Sequence, residues 1–450
     1  MRLLLAEAVN AQSEIQTKYS SLGFGYLIAA LPESLKTRLE IKIAGPDIEA
    51  EIIDFKPEVV GLSSVSQNYG RAKAIAAFCK QRGIKVIIGK SHITALPQTL
   101  DQHMDVGIIG EGEETFSEVV ALMLDNKFDK DSLRAIRGIV FHDNGMIVKT
   151  EKRPLMQNLD ILPFPDRAAL GVKPGDNLYI FSSRGCPYRC VFCFSSRFWD
   201  KVRFHSAEYV VSEIRYLAGA YGAIRITFCD DLFIADLNRL RKITELIQRE
   251  KFYKKIKFTV SVRANLVNEE SAKLLKDMGA DIVTMGLESG SARVLNFLKG
   301  QTAKIADSVR AIKLLKKNKL QVSASFIIGS PDETREEILE TLNLIKSSKL
   351  DLFEINVLMP LPGTPIWDYA LKRGLVAEDE KMDWNSLNID FVDNHENYLI
   401  MSEKLSRREL KELYDLFMKE RTKRALILKI KYLYKRPREV LSYLKKKYFK

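Results

Sequence analysis

Short apolar runs alternate with amphipathic patterns along residues 1–135. Runs bounded by turn residues indicate strands buried on both faces, and apolar positions spaced three or four apart indicate helices between them. This order predicts a doubly wound, Rossmann-like or flavodoxin-like α/β domain, which would bind a ligand at the carboxyl ends of its strands. The predicted strands are Arg2–Leu5, Glu40–Ile43, Val59–Ser63, Lys85–Gly89 and Val106–Ile109, and the predicted helices include Gly25–Leu31, Tyr69–Arg82 and Glu113–Leu124.

The same alternation returns over residues 177–370, where six strand patterns are each followed by a helix pattern. Six such units predict a partial (β/α)6 barrel of the TIM type, with functional residues at the carboxyl ends of its strands. The predicted strands are Leu178–Ser183, Ile224–Phe228, Lys257–Val262, Ile282–Gly286, Val322–Ile328 and Glu354–Met359. The predicted helices are Ser206–Ala218, Leu237–Glu250, Glu269–Met278, Ser291–Leu298, Ile305–Lys316 and Thr334–Ser348.

Residues 136–176 have the pattern of a linker between these two units. Arg137–His142 and Met146–Thr150 flank an Asn-Gly turn and predict a β-hairpin. Leu159–Asp166 contains two prolines and predicts a stiff, non-helical connector. Residues 371–450 begin with a polar segment and continue as a helical, basic region.

The composition, 46% hydrophobic and 28% charged in 450 residues, is typical of a soluble globular protein with two or three domains. No stretch approaches the roughly 20 apolar residues of a membrane span. The amino terminus lacks the features of a signal peptide, and five cysteines in so long a chain favour a reducing compartment. We therefore expect a cytoplasmic protein.

The net charge of +12 is concentrated at the carboxyl end, where Lys404 to Lys450 hold 17 basic and 5 acidic residues. A whole-protein nucleic-acid binder is therefore not expected. Ala425–Tyr434 and Leu441–Phe449 interleave aromatic residues with lysines. Three interpretations remain: a solvated helix packed on the barrel, a peripheral contact with an anionic inner membrane surface that gives access to a lipid substrate, or an RNA contact.

Three of the five cysteines, Cys186, Cys190 and Cys193, are spaced C-x3-C-x2-C in a loop that Gly185 and Pro187 turn back on itself. An odd number of thiols cannot close as disulfides, but these three can converge on one soft metal centre. A four-iron cluster held by three cysteines would keep one iron open to a small molecule. The alternatives are a zinc knuckle, which lacks a nearby fourth ligand, or a chance grouping.

With the aromatic residue Phe192 before the third cysteine, this motif resembles that of the radical S-adenosylmethionine (radical SAM) enzymes. The resemblance implies a [4Fe-4S] cluster on the three cysteines and SAM chelated to the open iron through its amino and carboxylate groups. It also implies an external electron donor such as flavodoxin or ferredoxin, and reductive cleavage of SAM to a 5′-deoxyadenosyl radical.

Polar residues at other strand ends are candidates for contacts with SAM. The resemblance implies that Asp230 or Asp231 holds the amino group, although either could instead cap the next helix. Arg263 could form a fork with the carboxylate, and Glu288 could reach a ribose hydroxyl or an ammonium.

The strand ends of the amino-terminal unit lie in the runs Pro57–Ser64, Val86–His92 and Ile109–Glu114. Together with Gly23–Leu31, these runs resemble the cobalamin-binding domain that precedes the barrel in one radical SAM subfamily. The alternative is a response-regulator-like or other flavodoxin-like domain, in which these loops are only tight turns. Two departures stand out: residues 7–24 lack a corrin-ligating histidine, and Lys90 stands where a second glycine is usual. The candidate cobalamin contacts are Ser63, Ser64, Gly89, His92, Gly110, Glu111 and Gly112.

The resemblance implies a cobalamin-dependent radical SAM enzyme that modifies an unactivated carbon of a small-molecule or lipid substrate, with methyl transfer as the leading expectation. The alternatives are a radical SAM cyclase or rearrangement enzyme, a radical SAM enzyme without cobalamin, and a non-catalytic iron–sulfur or zinc module. Fold does not decide between these chemistries.

Overall fold

The computed structural model describes residues 1–9, 21–378, 381–387 and 397–435. The carboxyl-terminal segment Leu441–Phe449, which the sequence singled out as basic and aromatic, lies outside the described residues.

The amino-terminal sheet has seven strands in the order β2-β1-β3-β4-β5-β6-β7. Its first five strands pair in parallel, and helices cover both faces, so consecutive side chains such as Leu3, Leu4 and Leu5 are all buried. The strands are β1 Arg2–Glu7, β2 Glu40–Ile43, β3 Val59–Ser63, β4 Lys85–Gly89, β5 Val106–Ile108, β6 Ile139–Asp143 and β7 Met146–Lys149. The helices are α1 Leu22–Ala30, α2 Glu33–Lys36, α3 Ile48–Phe55, α4 Tyr69–Lys80, α5 Ser91–Ala95, α6 Glu113–Leu124 and α7 Lys130–Ala135.

The predicted hairpin forms, as β6 and β7, but it extends this sheet: β6 pairs antiparallel with β5. A two-stranded hairpin is marginally stable alone, and pairing with β5 buries its apolar face, including Val140 and Phe141. The sheet is therefore mixed, with an antiparallel edge. Helix α3, which the hydrophobic pattern did not single out, fills the crossover between β2 and β3 and begins at the capping residue Asp47.

The six predicted barrel strands form one parallel sheet in the order β8-β11-β12-β13-β14-β15, which confirms an open, partial barrel. Helices connect successive strands, and the apolar side chains of both fill one continuous core. The strands are β8 Leu178–Ile180, β11 Arg225–Phe228, β12 Lys257–Val262, β13 Ala280–Glu288, β14 Gln321–Ile328 and β15 Leu352–Val357. The helices in this half of the chain are α8 Ser195–Phe198, α9 Ala207–Tyr221, α10 Leu237–Arg249, α11 Glu269–Asp277, α12 Ala292–Lys299, α13 Ile305–Lys317, α14 Arg335–Ser347, α15 Pro365–Lys372 and α16 Arg407–Lys435.

The first barrel strand ends earlier than expected, at Ile180, and a separate antiparallel ribbon follows it. This ribbon consists of β9, Ser183–Arg184, and β10, Arg203–Phe204. Together the two strands bracket the segment that carries the three cysteines, so both ends of the cysteine segment are held by backbone pairing.

The amino-terminal domain and the barrel share a hydrophobic core. The core on one face of the amino-terminal sheet includes Leu4, Val60 and Ile88, and it continues into Leu298, Leu358 and Trp367 from the other half of the chain. The carboxyl ends of both sheets therefore meet around one space.

Helix α16 packs against β15, the terminal strand of the open barrel, through buried Leu410, Leu413 and Phe417. Arg424 donates to the backbone oxygen of Ile345 at 2.6 Å, at the end of this packed part. Beyond Arg424 the helix exposes apolar side chains. None of the helices in the described ranges combines the length and apolar character needed to cross a lipid bilayer.

Candidate functional site

The cysteine loop follows β9 directly. Cys190 is buried, Cys186 and Cys193 are half-buried, and all three thiols are free. Gly185, with φ +94°, makes the turn into the loop, and a Cβ there would meet the backbone oxygen of Lys201 at 2.8 Å. Only glycine fits this turn, because it combines positive φ with contact against another backbone segment.

Two guanidinium groups stabilise the loop. Arg197 Nη1 donates to the backbone oxygens of Cys190 at 3.1 Å and Cys193 at 2.7 Å. Arg263 Nη1 lies 3.4 Å from Cys190 Sγ, and its guanidinium carbon lies 3.7 Å from the centre of the Tyr188 ring. The Arg263 guanidinium therefore places positive charge where a metal-bound thiolate would carry negative charge.

The thiols of Cys186 and Cys193 have raised pKa values, because burial disfavours the thiolate. Burial, with Asp231 and the other two cysteines nearby, raises the pKa of Cys193 to about 11. Loading with iron must therefore release protons. No group of three Cys, His, Asp or Glu side chains in the described part of the chain is arranged to hold a single metal ion. A four-iron cluster makes a different demand, because each thiolate binds a separate iron atom. Three free thiols beside two guanidinium groups fit such a cluster.

The paired aspartates after β11 have different surroundings. Asp230 is fully buried and accepts hydrogen bonds from Ser182 N at 2.6 Å and from Ser183 Oγ at 2.8 Å. Asp231 accepts from Ser195 Oγ at 2.5 Å. Asp231 is solvent-exposed on the cavity surface, but the surrounding protein partly desolvates its carboxylate and so raises its pKa. Neither residue caps the next helix, since Asp236 does so, and the helix-cap alternative for the pair is therefore wrong.

Arg263 and Glu288 lie together on the cysteine side of the barrel. Glu288 adopts φ +64° and pairs with Lys299 Nζ at 3.3 Å, and Lys299 O accepts from Arg263 Nη2 at 3.5 Å. Phe192 is partly buried against the core that the two halves of the chain share. None of the three lines the large cavity described next.

A cavity of about 810 Å³ lies between the amino-terminal domain and the barrel mouth. Its walls are largely apolar, and its two sides are the carboxyl ends of the two sheets. The cavity brings together seven of the predicted site residues: Ser63, Gly89, Gly110, Glu111 and Gly112 from one side, and Asp230 and Asp231 from the other.

Glycines bring the backbone of the amino-terminal domain to the cavity surface. A Cβ added at Gly89 or Gly110 would meet nothing within 4 Å, so open space begins at the main chain. Behind them, Leu62, Ile87 and Phe116 form an apolar wall. A ligand with a flat apolar face, such as the corrin ring of cobalamin, suits a wall of this character.

Two predicted cobalamin contacts point elsewhere. Ser64 donates to the backbone oxygen of Val65 at 2.9 Å and does not line the cavity. His92 is fully buried, stacks on Tyr69 at 3.7 Å between ring centres, and bonds Ser66 Oγ and Thr99 Oγ1 at 3.0 Å each. Burial lowers the pKa of His92 to about 3, so the ring is neutral. His92 is a core residue because α5 begins at Ser91 and turns the side chain inward.

Lys90 adopts a backbone conformation that is typical of glycine, the residue that is usual at this position. It adopts φ +86° and ψ −164°, a conformation that side chains rarely occupy. Its ammonium pairs with Glu7 at the end of β1, and Glu7 also accepts from Ser21. All three residues line the cavity. The departure from glycine therefore leaves the turn intact and adds an ion pair at the rim.

A buried ionic network that no sequence pattern predicts joins the two domains. Glu111 accepts from Arg184 Nη1 at 2.5 Å and from Arg203 Nη1 at 2.8 Å, and Glu113 accepts from Arg184 Nη2 at 2.5 Å. The guanidinium groups of both arginines lie over Trp199, at 5.4 and 5.5 Å from the ring centre. Glu111 therefore faces the cavity with its carboxylate already engaged by the barrel.

The geometry defines a class of protein: a doubly wound ligand-binding domain that faces the mouth of an open parallel barrel, with a three-cysteine loop beside the shared cavity. The radical SAM superfamily model matches residues 180–345, and the B12 binding domain model matches residues 12–120. An uncharacterized methyltransferase of Pyrococcus horikoshii is 34% identical over 379 residues, which cover 81% of this chain and 80% of the relative. An anaerobic magnesium-protoporphyrin IX monomethyl ester cyclase of Cereibacter sphaeroides is 24% identical over 79% of this chain and 61% of its own length.

Solved structures show the same fold. The radical SAM methyltransferase TsrM of Kitasatospora setae, solved with cobalamin and a [4Fe-4S] cluster, superposes with a TM-score of 0.71 at 17% identity and covers 92% of this chain and 90% of its own. The cobalamin-dependent radical SAM enzyme OxsB superposes with a TM-score of 0.67 at 17% identity and covers 95% and 72%. The chain belongs to the cobalamin-binding radical SAM family. Its cofactors are a [4Fe-4S] cluster, SAM and cobalamin.

Proposed function

We propose that this enzyme transfers a methyl group to an unactivated carbon of a small-molecule or lipid substrate. The observation that carries the proposal is the cavity of about 810 Å³, which is bounded by the strand ends of both domains and lies beside the cysteine loop. When bound, the reduced cluster and SAM supply a hydrogen-abstracting radical, and cobalamin supplies a transferable methyl group. Electrons would come from an external donor of the flavodoxin or ferredoxin type.

The protein's own residues would bind and orient these groups. Cys186, Cys190 and Cys193 would hold the cluster, with Arg263 placing positive charge beside it. Asp231 would accept hydrogen bonds from the amino group of SAM, because its carboxylate faces the cavity. The carboxylate of Asp230 already accepts hydrogen bonds from Ser182 and Ser183. We therefore assign Asp230 the role of holding the backbone before the cysteine loop.

The cavity walls would exclude water. Phe198 and Trp199 line the barrel side, and Leu62, Ile87 and Phe116 line the opposite side. Water exclusion matters because an organic radical must meet only the intended carbon. The backbone at Gly89, Gly110 and Gly112 would let cobalamin approach closely, with Ser63 at the strand end beside it.

The names of the relatives favour methyl transfer over cyclisation. The relative at 34% identity carries a methyltransferase name, and bacteriochlorophyllide d C-8(2)-methyltransferase of Chlorobaculum tepidum is 23% identical over 74% of this chain. The cyclase of Cereibacter sphaeroides keeps ring closure as the second candidate.

Anaerobic reconstitution tests the proposal. We expect about four irons per chain by iron and sulfide analysis, an absorption change on addition of hydroxocobalamin, and 5′-deoxyadenosine after reduction with SAM present. Mass spectrometry of metabolite and lipid extracts from a deletion strain would then show a compound that lacks one methylene unit. A compound in the deletion strain that lacks a ring, and not a methylene unit, would instead support the cyclase.

We further propose that the exposed end of α16 binds an anionic inner membrane surface from the cytoplasm, where a lipid substrate would be reached. Leu426, Ile427 and Ile430 are 57%, 42% and 56% exposed, with exposed Lys423 and Lys429 among them. Apolar side chains flanked by lysines suit the boundary between acyl chains and anionic headgroups.

Vesicle sedimentation tests this contact. We expect the full chain to sediment with phosphatidylglycerol vesicles and to remain in solution with phosphatidylcholine vesicles. The double variant L426E/I430E should abolish sedimentation. I224E, which changes an exposed isoleucine on the barrel, is the matched control and should sediment like the wild type. Equal sedimentation by all three proteins would contradict the proposal.

A further inference from the structure

The ribbon before the cysteine loop contains an unfavourable pair. Arg184 on β9 stands directly opposite Arg203 on β10. Their side chains are only 9% and 4% exposed. Like charges placed directly across an antiparallel pair destabilise it, and burial strengthens the repulsion. The ribbon therefore needs acidic partners in order to form.

Those partners come from the other domain. Glu111 accepts from both arginines, and Glu113 accepts from Arg184. Glu111 also accepts from the backbone N–H of Met156 at 2.9 Å. The carboxylates are 8% and 9% exposed, so each charge depends on the others for its compensation. Loss of one carboxylate would leave an unpaired charge in a buried site, which is strongly destabilising there.

The network lies between the two cofactor sites. Glu111 is the residue between Gly110 and Gly112, which face the cavity. Arg184 is separated from Cys186 only by Gly185, whose close contact with Lys201 leaves the turn no freedom. A shift of the turn Gly110–Gly112 therefore moves Glu111 and, through Arg184, the start of the cysteine loop. A shift of the cysteine loop moves the turn Gly110–Gly112 by the same contacts.

We propose that Glu111 is a positioning residue that couples cobalamin binding to the arrangement of the cysteine loop. Its carboxylate acts on Arg184 and Arg203 and reaches the cluster site only through them. Because coupling between two binding sites is reciprocal, loading of the cluster must raise the affinity for cobalamin by the factor by which cobalamin favours cluster loading. The inference rests on the cofactors of the proposed function.

Titration of the full chain with hydroxocobalamin, followed by absorbance, measures the coupling. The dissociation constant is compared between the iron-free protein and the protein reconstituted with its cluster. For the wild type we expect affinity at least about fivefold higher with the cluster, the lower end of typical coupling. For E111Q we expect the two dissociation constants to agree within about twofold. A ratio of two affinities separates coupling from any direct contact of Glu111 with the ligand, which would weaken both forms equally.

A neighbour provides the matched control. Glu114 lies three positions further on, in the first turn of α6, where its side chain is 57% exposed and pairs with Arg153. E114Q should keep the wild-type ratio, and E111D should restore part of it. If E111Q does not fold, E113Q removes only one contact of Arg184 and should reduce the ratio.

Three outcomes would overturn the coupling. In the first, wild-type protein binds hydroxocobalamin equally well with and without the cluster. In the second, E111Q keeps the full ratio. In the third, E114Q loses the ratio as completely as E111Q does. Failure of both wild-type forms to bind hydroxocobalamin would instead contradict the cobalamin assignment, and the coupling would fall with it.

Discussion

The two sheets present opposite kinds of chemistry to the same cavity. The strand ends of the amino-terminal domain offer glycines, Ser63 and an apolar wall, and their charged residues are already paired. The barrel side carries the carboxylates of Asp230 and Asp231 on the cavity wall, with the thiols of the cysteine loop and the Arg263 guanidinium beside the cavity. One side therefore recognises a ligand by shape and close backbone approach, whereas the other holds groups by charge. We therefore expect substitutions on the amino-terminal side to weaken ligand binding by changing the shape of the cavity, and substitutions on the barrel side to remove charged or metal-binding groups.

The largest expected effect lies at the cysteine loop. C186A should reduce bound iron to less than about a tenth of the wild-type amount and abolish 5′-deoxyadenosine formation, because a cluster left with two thiolates is not retained. Iron analysis and product chromatography after anaerobic reconstitution measure this. C229A is the control: Cys229 also lines the cavity but lies outside the loop, and its loss should leave the iron content unchanged.

The paired aspartates should separate folding from binding. D230A removes a buried acceptor of hydrogen bonds from Ser182 and Ser183, and it should lower the free energy of unfolding by about 2–4 kcal/mol. D231A should change that free energy by less than about 1 kcal/mol but weaken SAM binding at least about tenfold, since its carboxylate faces the cavity. Denaturant titration and equilibrium dialysis with SAM check both. Weak SAM binding by a stable D230A protein would contradict the division of roles.

The shape-based side is tested at Gly110. G110A places a methyl group in the cavity at a residue with φ +82° and should weaken hydroxocobalamin binding about tenfold, the equivalent of 1.4 kcal/mol. G145A imposes similar backbone strain, at φ +78° in the hairpin turn, far from the cavity. G145A should therefore lose similar stability but keep the affinity for hydroxocobalamin. Weak binding by both variants would show that strain, and not the cavity, is responsible.

The smallest effect is expected at Lys90. K90G relieves a strained backbone but removes an ion pair with Glu7, so we expect a net gain of about 1 kcal/mol in the free energy of unfolding. K90A removes the same ion pair without relieving the strain, and it should not stabilise the protein. Thermal and denaturant unfolding of the two variants check the sign. A stabilised K90A would contradict the role of backbone strain.

The fold could be predicted from the sequence because each element carries its own periodicity. All six barrel strands and the five parallel strands of the amino-terminal sheet lie within a few residues of their predicted positions. The hairpin was predicted as a unit, but its pairing with β5 depends on a distant strand. No local pattern shows which edge a hairpin will join.

The site could be predicted where the chemistry is local in sequence. The spacing of Cys186, Cys190 and Cys193 is local, so the loop was found. The network of Glu111 and Arg184 joins residues 73 positions apart and depends on two-residue strands, which are too short for any periodicity. The prediction that His92 contacts cobalamin is wrong, because a strand-end turn does not show which way the following short helix directs its side chains.

Helix α16 affects whether the open barrel self-associates at high protein concentration. An incomplete barrel leaves a terminal strand whose unpaired amides can recruit a strand from a neighbouring molecule. Phe417 lies near Phe353 of β15, and Arg421 pairs with Glu354 on the same strand, so this flank is already occupied from within the chain. A protein shortened before Arg407 would present that flank bare and would be expected to self-associate before any loss of cofactor could be measured.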